Sequence, residues 1–251
     1  MSSIASSAIV FACVFGGAML GMFLRRVLPE HHLSSDSKDV VRIGMGLVVT
    51  LSALVLGLLI SSAKSAYDAQ SNELTEMSAK VVLLDRVLAH YGPEAKEARE
   101  VLRRAVVGLL DRMASTGGAA SPQSVAPSAG AEVLYDYVHE LSPKDDLQRS
   151  SKAEAVSIVL GLGQTRWLQY AQETNSVSKP LLVILVYWLT VIFISFGLFA
   201  PRHGTAIISL VLSALAVSGA IFLILELYSP YAGIMRVSTA PLRAAIMQLG
   251  K

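Results

Sequence analysis

Four long runs without a charged side chain constrain the fold of this chain more than any other feature of its sequence. The runs extend over residues 1–24, 43–63, 181–200 and 204–225. A helix of about 20 residues crosses the ~30 Å hydrocarbon core of a bilayer, and an arginine or aspartate placed at mid-membrane costs about 3 kcal/mol. The runs therefore predict an all-α fold, that of a polytopic membrane protein with four transmembrane helices.

The composition agrees with this prediction and excludes several classes of function. Hydrophobic residues make up 53% of the chain and charged residues 16%, whereas an ordinary globular protein carries about 25% charged residues. The net charge is only +2, and the sequence has no basic cluster with interleaved aromatics, so we expect no nucleic-acid partner. No nucleophile stands at catalytic spacing from a base, and the single cysteine, Cys13, has no set of histidines around it. We therefore expect no enzymatic activity, no metal site and no cofactor.

The runs divide the chain into membrane and water-soluble parts. The spans are predicted at about residues 7–24, 41–62, 180–200 and 205–225. The first two form a transmembrane hairpin within residues 1–63, and the last two form another within residues 180–228. Residues 64–179 are predicted to be a soluble helical insert, with a flexible linker of small residues at 115–130. Residues 229–251 are predicted to form an amphipathic tail.

Helical periodicity continues from the second span into the insert. Apolar residues from Leu74 to Tyr91 follow steps of three and four, a heptad-like pattern that requires a partner helix. A continuous helix over residues 41–91 would be about 75 Å long, and the glycine-proline pair directly after it ends it. Charged residues in this stretch, such as Asp85, are expected on the exposed face in weak pairs with their neighbours.

Two shorter patterns predict local packing. Gly17 and Gly21 form a small-xxx-small pattern in the first span, which allows a second helix to approach closely. In the insert, Ser142, Asp145 and Asp146 predict a cap and acidic charge at the start of a helix.

An even number of spans places both ends of the chain and the insert on one side of the membrane. The side should follow from the lysines and arginines near the span ends. Those on the side of the two turns are Arg25, Arg26, Lys38, Arg42 and Arg202, and those on the side of the insert are Lys64, Lys179, Arg236 and Arg243. The two counts nearly balance, with a slight lean to an extracytoplasmic insert, so the sequence leaves sidedness open.

Five short motifs, in order along the chain, resemble one protein family. They are LPEHHL at residues 28–33, LDRVLAHYGPE at 84–94, FGLFAPR at 196–202, LELYSPYAG at 225–233 and VSTAPLR at 237–243. On these motifs the chain resembles the bacterial bestrophin-like membrane protein family of unknown function, over most of its length.

That family is distantly similar to bestrophins, which are pentameric anion channels built from four-span subunits whose second span lines the pore. The resemblance implies a homo-oligomer, with a pentamer as the expected form, in the inner (plasma) membrane of a bacterium. It also implies a cytoplasmic insert, against the slight charge lean. The chain departs from bestrophins at their calcium clasp, a run of acidic residues whose nearest counterpart here is Lys144-Asp145-Asp146. Calcium gating is therefore not implied.

The second span supplies candidate pore-lining residues. Small hydroxyls and leucines on one helix can line a conduit that solvates ions weakly and closes by dewetting. The candidates are Thr50, Ser52, Leu54, Leu58, Ser61 and Ser62, with Lys64 at the mouth as a source of positive charge. The alternative is that these residues pack against neighbouring helices.

Four charged residues near the last two spans are candidates for a structural role. Glu226 follows a long charge-free run, and carboxylates in such positions are usually paired or functional. Its expected partners are Arg236 or Arg243, while Arg202 lies in the turn between the spans. The alternative for Glu226 is a carboxylate that reaches headgroup water.

Two functions fit these features. The first is a bestrophin-like, homo-oligomeric membrane channel or channel-derived pore, with the second span along its axis and anion conduction expected by analogy of fold. The alternative is a non-conducting membrane scaffold or signalling protein that binds a partner through its helical insert.

Overall fold

The structure is a computed structural model that describes residues 3–28, 35–115, 129–173, 179–201, 203–229 and 234–250. Every regular element within these ranges is a helix, which confirms the predicted all-α class. Four of the helices are long and apolar enough to cross a membrane, as the charge-free runs predicted.

The helices are numbered α1 to α8 in chain order. The four apolar ones are α1 (Ser3–Val27), α2 (Ser35–Tyr91), α6 (Lys179–Phe199) and α7 (Gly204–Leu227). The others are α3 (Lys96–Ser115), α4 (Ala129–Glu140), α5 (Asp146–Glu173) and α8 (Ala240–Gln248), and a 3-10 turn, Pro93–Ala95, leads from α2 to α3. Helix α2 is continuous over 57 residues, as its periodicity predicted. It ends before Gly92, whose φ of 122° is a conformation that glycine adopts without steric cost.

The chain divides into two compact units. The first, the membrane unit, comprises Met1–Ala66 and Ser176–Tyr228, and the second, the polar unit, comprises Tyr67–Asn175 and Ser229–Lys251. Helix α2 contributes its first part to the membrane unit and its second part to the polar unit. The linker predicted at residues 115–130 lies mostly outside the described residues.

Close packing of α1 against α6 organises the membrane unit. A Cβ atom added to Gly21 would lie 2.0 Å from the carbonyl oxygen of Ile194. One added to Gly197 would lie 2.0 Å from the carbonyl oxygen of Ala18. Small residues permit such an approach between membrane helices, where lipid provides no hydrophobic force to bring helices together. The close approach predicted from the glycines of the first span is therefore confirmed, with α6 as the partner.

A polar contact joins the same two helices at the membrane surface. The guanidinium of Arg25, in the last turn of α1, donates a hydrogen bond to the carbonyl oxygen of Ala200, directly after α6. The last carbonyls of a helix lack partners within the helix and carry partial negative charge. Arg25 therefore caps α6 with a cation while staying at the end of its own span.

The core of the polar unit is built on the second part of α2. Its buried apolar residues recur at steps of three and four and are Leu74, Met77, Val81, Leu84, Leu88 and Tyr91. They form one cluster with apolar residues of α3, α4, α5 and α8. The heptad-like pattern thus predicted a buried seam correctly, and helices of the same chain cover it.

One charge lies inside this core. Asp85 is buried, which corrects the expectation that it would lie on an exposed face. Its two carboxylate oxygens accept hydrogen bonds from Arg99 of α3, from Nε at 2.7 Å and from Nη2 at 2.9 Å. The backbone N–H of Gly250, near the C-terminus, also donates to Asp85, at 3.3 Å. A single carboxylate thus joins α2, α3 and the tail.

These partners decide the protonation state of Asp85. Burial on its own raises the pKa of this carboxyl group. The hydrogen bonds from Arg99 and Gly250 and the charges of Arg99 and Arg86 outweigh burial, and the pKa lies below its ordinary value of 3.8. Asp85 is therefore ionised at neutral pH, and its bidentate pair with Arg99 is charge-assisted.

We predict that Gly21→Ala destabilises the membrane unit, because its methyl group would force α1 away from α6. Overpacking of this kind costs about 2 kcal/mol, which corresponds to a loss of about 5 °C in melting temperature for a chain of this size. Thermal melts of the protein in detergent measure the effect. Gly16→Ala is the matched control, since a Cβ there meets nothing within 4 Å. Equal melting temperatures for the two variants would contradict the close packing.

We also predict that Asp85→Asn lowers the free energy of unfolding by about 3 kcal/mol, since it leaves the Arg99 guanidinium without its carboxylate. The matched control is Glu100→Gln, which removes an exposed pair with Arg103 and should change little. Because the folded-state pKa of Asp85 is lowered, its contribution is complete above about pH 4 and is lost as the pH falls further. The difference between wild type and Asp85→Asn should therefore stay constant from pH 6 to about pH 4 and shrink as the pH falls further, and a difference that does not shrink below pH 4 would contradict the assignment.

Candidate functional site

The membrane-crossing part of α2, residues 43–63, is covered by its own chain much less than the other spans are. Within the most apolar stretch of 18 residues in each span, 11% is buried in α2, whereas 28% is buried in α1, 33% in α6 and 28% in α7. Exposed apolar surface of this extent indicates contact with lipid or with another protein molecule. This segment is therefore the candidate site.

One face of the segment is buried within the membrane unit. Ser52, Leu59 and Ala63 are buried, and steps of seven and four residues bring them to the same side of a helix. The Ser52 hydroxyl donates a hydrogen bond to the carbonyl oxygen of Val48 at 2.7 Å, so its polar group is satisfied inside the helix. This face fixes the orientation of α2.

The opposite face, which we call the exposed face of α2, consists of Thr50, Leu54, Leu58 and Ser61. Steps of four, four and three residues align the four side chains. Leu54 is 67% exposed and Leu58 is 62% exposed. The Thr50 hydroxyl donates a hydrogen bond to the carbonyl oxygen of Gly46 at 2.9 Å. Its oxygen can still accept a hydrogen bond, but its hydrogen is engaged within the helix. The exposed face therefore offers two large apolar side chains between weakly polar ones.

A hydroxyl pair marks the end of the segment. The Ser62 hydroxyl lies 2.9 Å from the hydroxyl of Tyr228, the residue directly after α7, and the two form a hydrogen bond. Lys64 is exposed half a turn further along α2. The positive charge of Lys64 thus lies at the point where the apolar segment ends.

The structure separates the seven candidate pore-lining residues into two groups. Six are exposed, and they are Thr50, Leu54, Leu58, Ser61, Ser62 and Lys64. Ser52 is only 4% exposed and lies about 200° around the helix from Thr50, as expected under the alternative that it packs against a neighbouring helix. Whether the exposed residues line a pore stays a prediction.

The structural charge candidates lie in different parts of the chain. Glu226 is buried in the last turn of α7, within the membrane unit. Arg236 and Arg243 are exposed residues of the polar unit, and their pairing with Glu226 stays a prediction. Arg202 lies outside the described residues.

A second polar cluster surrounds the turn that follows α2. The Lys144 ammonium donates to Oε1 of Glu94 at 2.5 Å, and this pair lowers the pKa of Glu94 and raises the pKa of Lys144. The side-chain amide of Gln148 donates to the carbonyl oxygen of Tyr91 at 3.0 Å. Asp145 accepts from the backbone N–H of Gln148 at 2.7 Å, which confirms the predicted acidic cap of α5. Lys144 and Asp145 therefore hold the turn and the start of α5.

One further residue of this cluster was not predicted from the sequence. Tyr91 is 2% exposed, and among the described residues its hydroxyl has no hydrogen-bond partner. Burial raises the pKa of Tyr91, with a smaller contribution from the charge of Glu94. The only signal available was its place at the end of the apolar seam, which predicts a buried ring and says nothing of the hydroxyl.

The described residues bring together no group of three or more His, Cys, Asp and Glu side chains that could hold a metal ion. The chemistry that the two clusters present is therefore that of apolar surface, hydroxyl groups and ion pairs.

The sequence of the chain was compared with models of known protein families. The family model described as Bestrophin-like domain matches residues 12–242, which extend from the first span to α8. No curated protein and no solved structure matches the chain. The matched region includes the exposed segment of α2, the buried ion pair of the polar unit and most of the tail. The chain is thus a multi-pass membrane protein that belongs to the bestrophin-like family.

Proposed function

We propose that the protein forms a homo-oligomeric membrane pore in which α2 of each subunit lines the axis. The observation that carries the proposal is the low burial of the α2 segment, at 11%, in a unit where α1 packs against both α6 and α7. In a ring of subunits, the exposed face of α2 would lie towards the axis. The buried face, at Ser52 and Leu59, would hold each helix on its own subunit.

The residues of the exposed face fit a narrow conduit. Leu54 and Leu58, one turn apart, would form two apolar rings around the axis, and apolar constrictions close a pore by expelling water. Thr50 and Ser61 lie on the two sides of these rings along the helix and would give weak polar contacts to a passing ion. The two leucine positions would therefore control hydration of the pore.

Anions are the expected ions. The α2 segment contains no acidic side chain between residues 43 and 63, and Lys64 follows it directly. A ring of lysines at one mouth raises the local concentration of anions and repels cations. Family membership supports a pore-forming role, and the inner membrane of a bacterium is its proposed location.

We predict that Leu54→Ser increases the conductance several-fold, because a hydroxyl keeps water in the constriction. Single-channel currents of the purified protein in planar bilayers measure the effect, and the reversal potential in a KCl gradient reports the preference for chloride over potassium. The matched control is Leu212→Ser on α7, where the side chain is similarly exposed, at 60% against 67% for Leu54, but belongs to another span. The proposal fails if neither wild type nor Leu54→Ser carries any current, or if Leu212→Ser has the same effect.

We predict in addition that the protein in detergent or nanodiscs has the mass of at least four subunits, with five expected from the resemblance. One helix from each subunit must enclose the axis, which two helices cannot do. Native mass spectrometry, with lipid and detergent removed in the gas phase, gives the subunit number directly.

A monomer or a dimer in that measurement would favour a second candidate function. The polar unit exposes large apolar side chains on α5, with Leu147 at 71% and Leu160 at 50% exposure. Such positions are suited to binding a partner protein, as expected of a non-conducting membrane scaffold or signalling protein. The number of subunits therefore separates the two functions.

A further inference from the structure

A hydroxyl group near the end of the membrane segment of α2 is bonded to a residue of another element. The Ser62 hydroxyl lies 2.9 Å from the hydroxyl of Tyr228, and either group can be the donor. Several other hydroxyls of the spans donate within their own helix, to the carbonyl oxygen four residues earlier, and these are Thr50, Ser52, Thr190 and Ser218. The bond of Ser62 instead joins α2 to the end of α7.

The two partners are held to different degrees. The backbone N–H of Tyr228 donates to the carbonyl oxygen of Ile224 at 3.1 Å, and Leu227, directly before it, is buried. Tyr228 is therefore fixed at the end of α7. The membrane segment of α2, in contrast, is the span that its own chain buries least. The hydroxyl pair thus connects a well-packed residue to a helix with little other packing.

The depth of the pair favours the bond. Ser62 is the second to last residue of the charge-free run 43–63. Near the hydrocarbon core little water is present to replace a lost protein hydrogen bond. Hydroxyl side chains bond across membrane helices for this reason. The pair is therefore suited to hold the end of the α2 segment in one position.

Ser62 also lies beside the exposed face of α2. It follows Leu58 by four residues, which is about 40° around the helix. A turn of the segment by about 60° would move a side chain that lies about 5 Å from the helix axis by about 5 Å. A hydrogen bond does not persist over such a displacement. The bond therefore fixes the direction in which Leu54 and Leu58 point.

A turn of this size would present a different surface. Gly57 lies three residues after Leu54, about 60° around the helix from it. A Cβ atom added to Gly57 would meet nothing within 4 Å, so this side of α2 is open. Apolar constrictions exclude water because they are narrow. Glycine in place of leucine at the constriction would therefore widen it and admit water.

We propose that Ser62 and Tyr228 form a latch that keeps Leu54 and Leu58 directed at the pore axis and the pore closed. The inference rests on the proposed function, in which the exposed face of α2 lies towards that axis. Both are positioning residues, because they act through the orientation of α2. Release of the latch lets the segment turn, and the open probability rises.

Substitutions that remove a single oxygen atom test the latch. Tyr228→Phe and Ser62→Ala should each raise the open probability of the purified protein in planar bilayers several-fold. The single-channel conductance should stay as in the wild type, because the lining residues are unchanged. Ser62→Thr keeps a hydroxyl and should restore the open probability of the wild type. The matched control is Tyr187→Phe on α6, a tyrosine that is 64% exposed, which should have no effect.

The double variant distinguishes a bonded pair from two independent hydroxyls. If the two groups act only through their mutual bond, Ser62→Ala adds nothing to the effect of Tyr228→Phe. Effects that multiply in the double variant would overturn the latch. An open probability like that of the wild type in both single variants would overturn it as well.

Hydrogen exchange measured by mass spectrometry tests the bond without any current. Peptides that cover residues 54–66 should exchange several-fold faster in Tyr228→Phe than in the wild type, while peptides of α1 should exchange equally. Equal exchange over residues 54–66 would overturn the latch itself. Faster exchange in a protein that carries no current would establish the tie between α2 and α7 and refute the pore, so the two failures are distinguishable.

Discussion

Membrane helices are not brought together by the hydrophobic effect, because lipid tails are as apolar as the side chains they would replace. Shape therefore decides which spans associate, and in this protein the shape is set by two glycines. Gly21 and Gly197 bring the backbones of α1 and α6 so close that neither position has room for a Cβ atom. Arg25 adds a hydrogen bond to α6 at the membrane surface. Helix α1 packs on both α6 and α7, and α2 is the span that its own chain buries least.

The polar unit depends on a different force, the burial of apolar side chains away from water. The second part of α2 supplies the seam, and the other polar helices cover it. Within this core Asp85 has a carboxylate whose ionised form is retained by Arg99 and by the backbone of Gly250. A buried ion pair contributes little net stability compared with apolar packing, but a lone buried charge is costly. The pair therefore specifies which part of the tail meets which turn of α2.

Much of the fold could be predicted from the sequence because its strongest signals are physical ones. Charge-free runs of bilayer length, the spacing of Gly17 and Gly21 and the seam after Leu74 each correspond to a feature of the structure. The prediction failed at Asp85, because the sequence does not say which side of a helix is covered. Asp85 is a charged residue on a long helix, and its charge alone predicted an exposed face. Its burial is tolerated because Arg99 pairs with the carboxylate, just as the buried hydroxyl of Ser52 is bonded to the carbonyl oxygen of Val48.

The core seam of the polar unit lies on one uninterrupted helix, and this continuity makes its residue count a structural quantity. One residue inserted between Leu74 and Leu84 would turn the part of the seam after it by about 100° and shift it by about 1.5 Å. Loops absorb such changes at little cost, but a continuous helix passes them on in full. The number of residues between successive core residues of the seam is thus fixed as strictly as their identity.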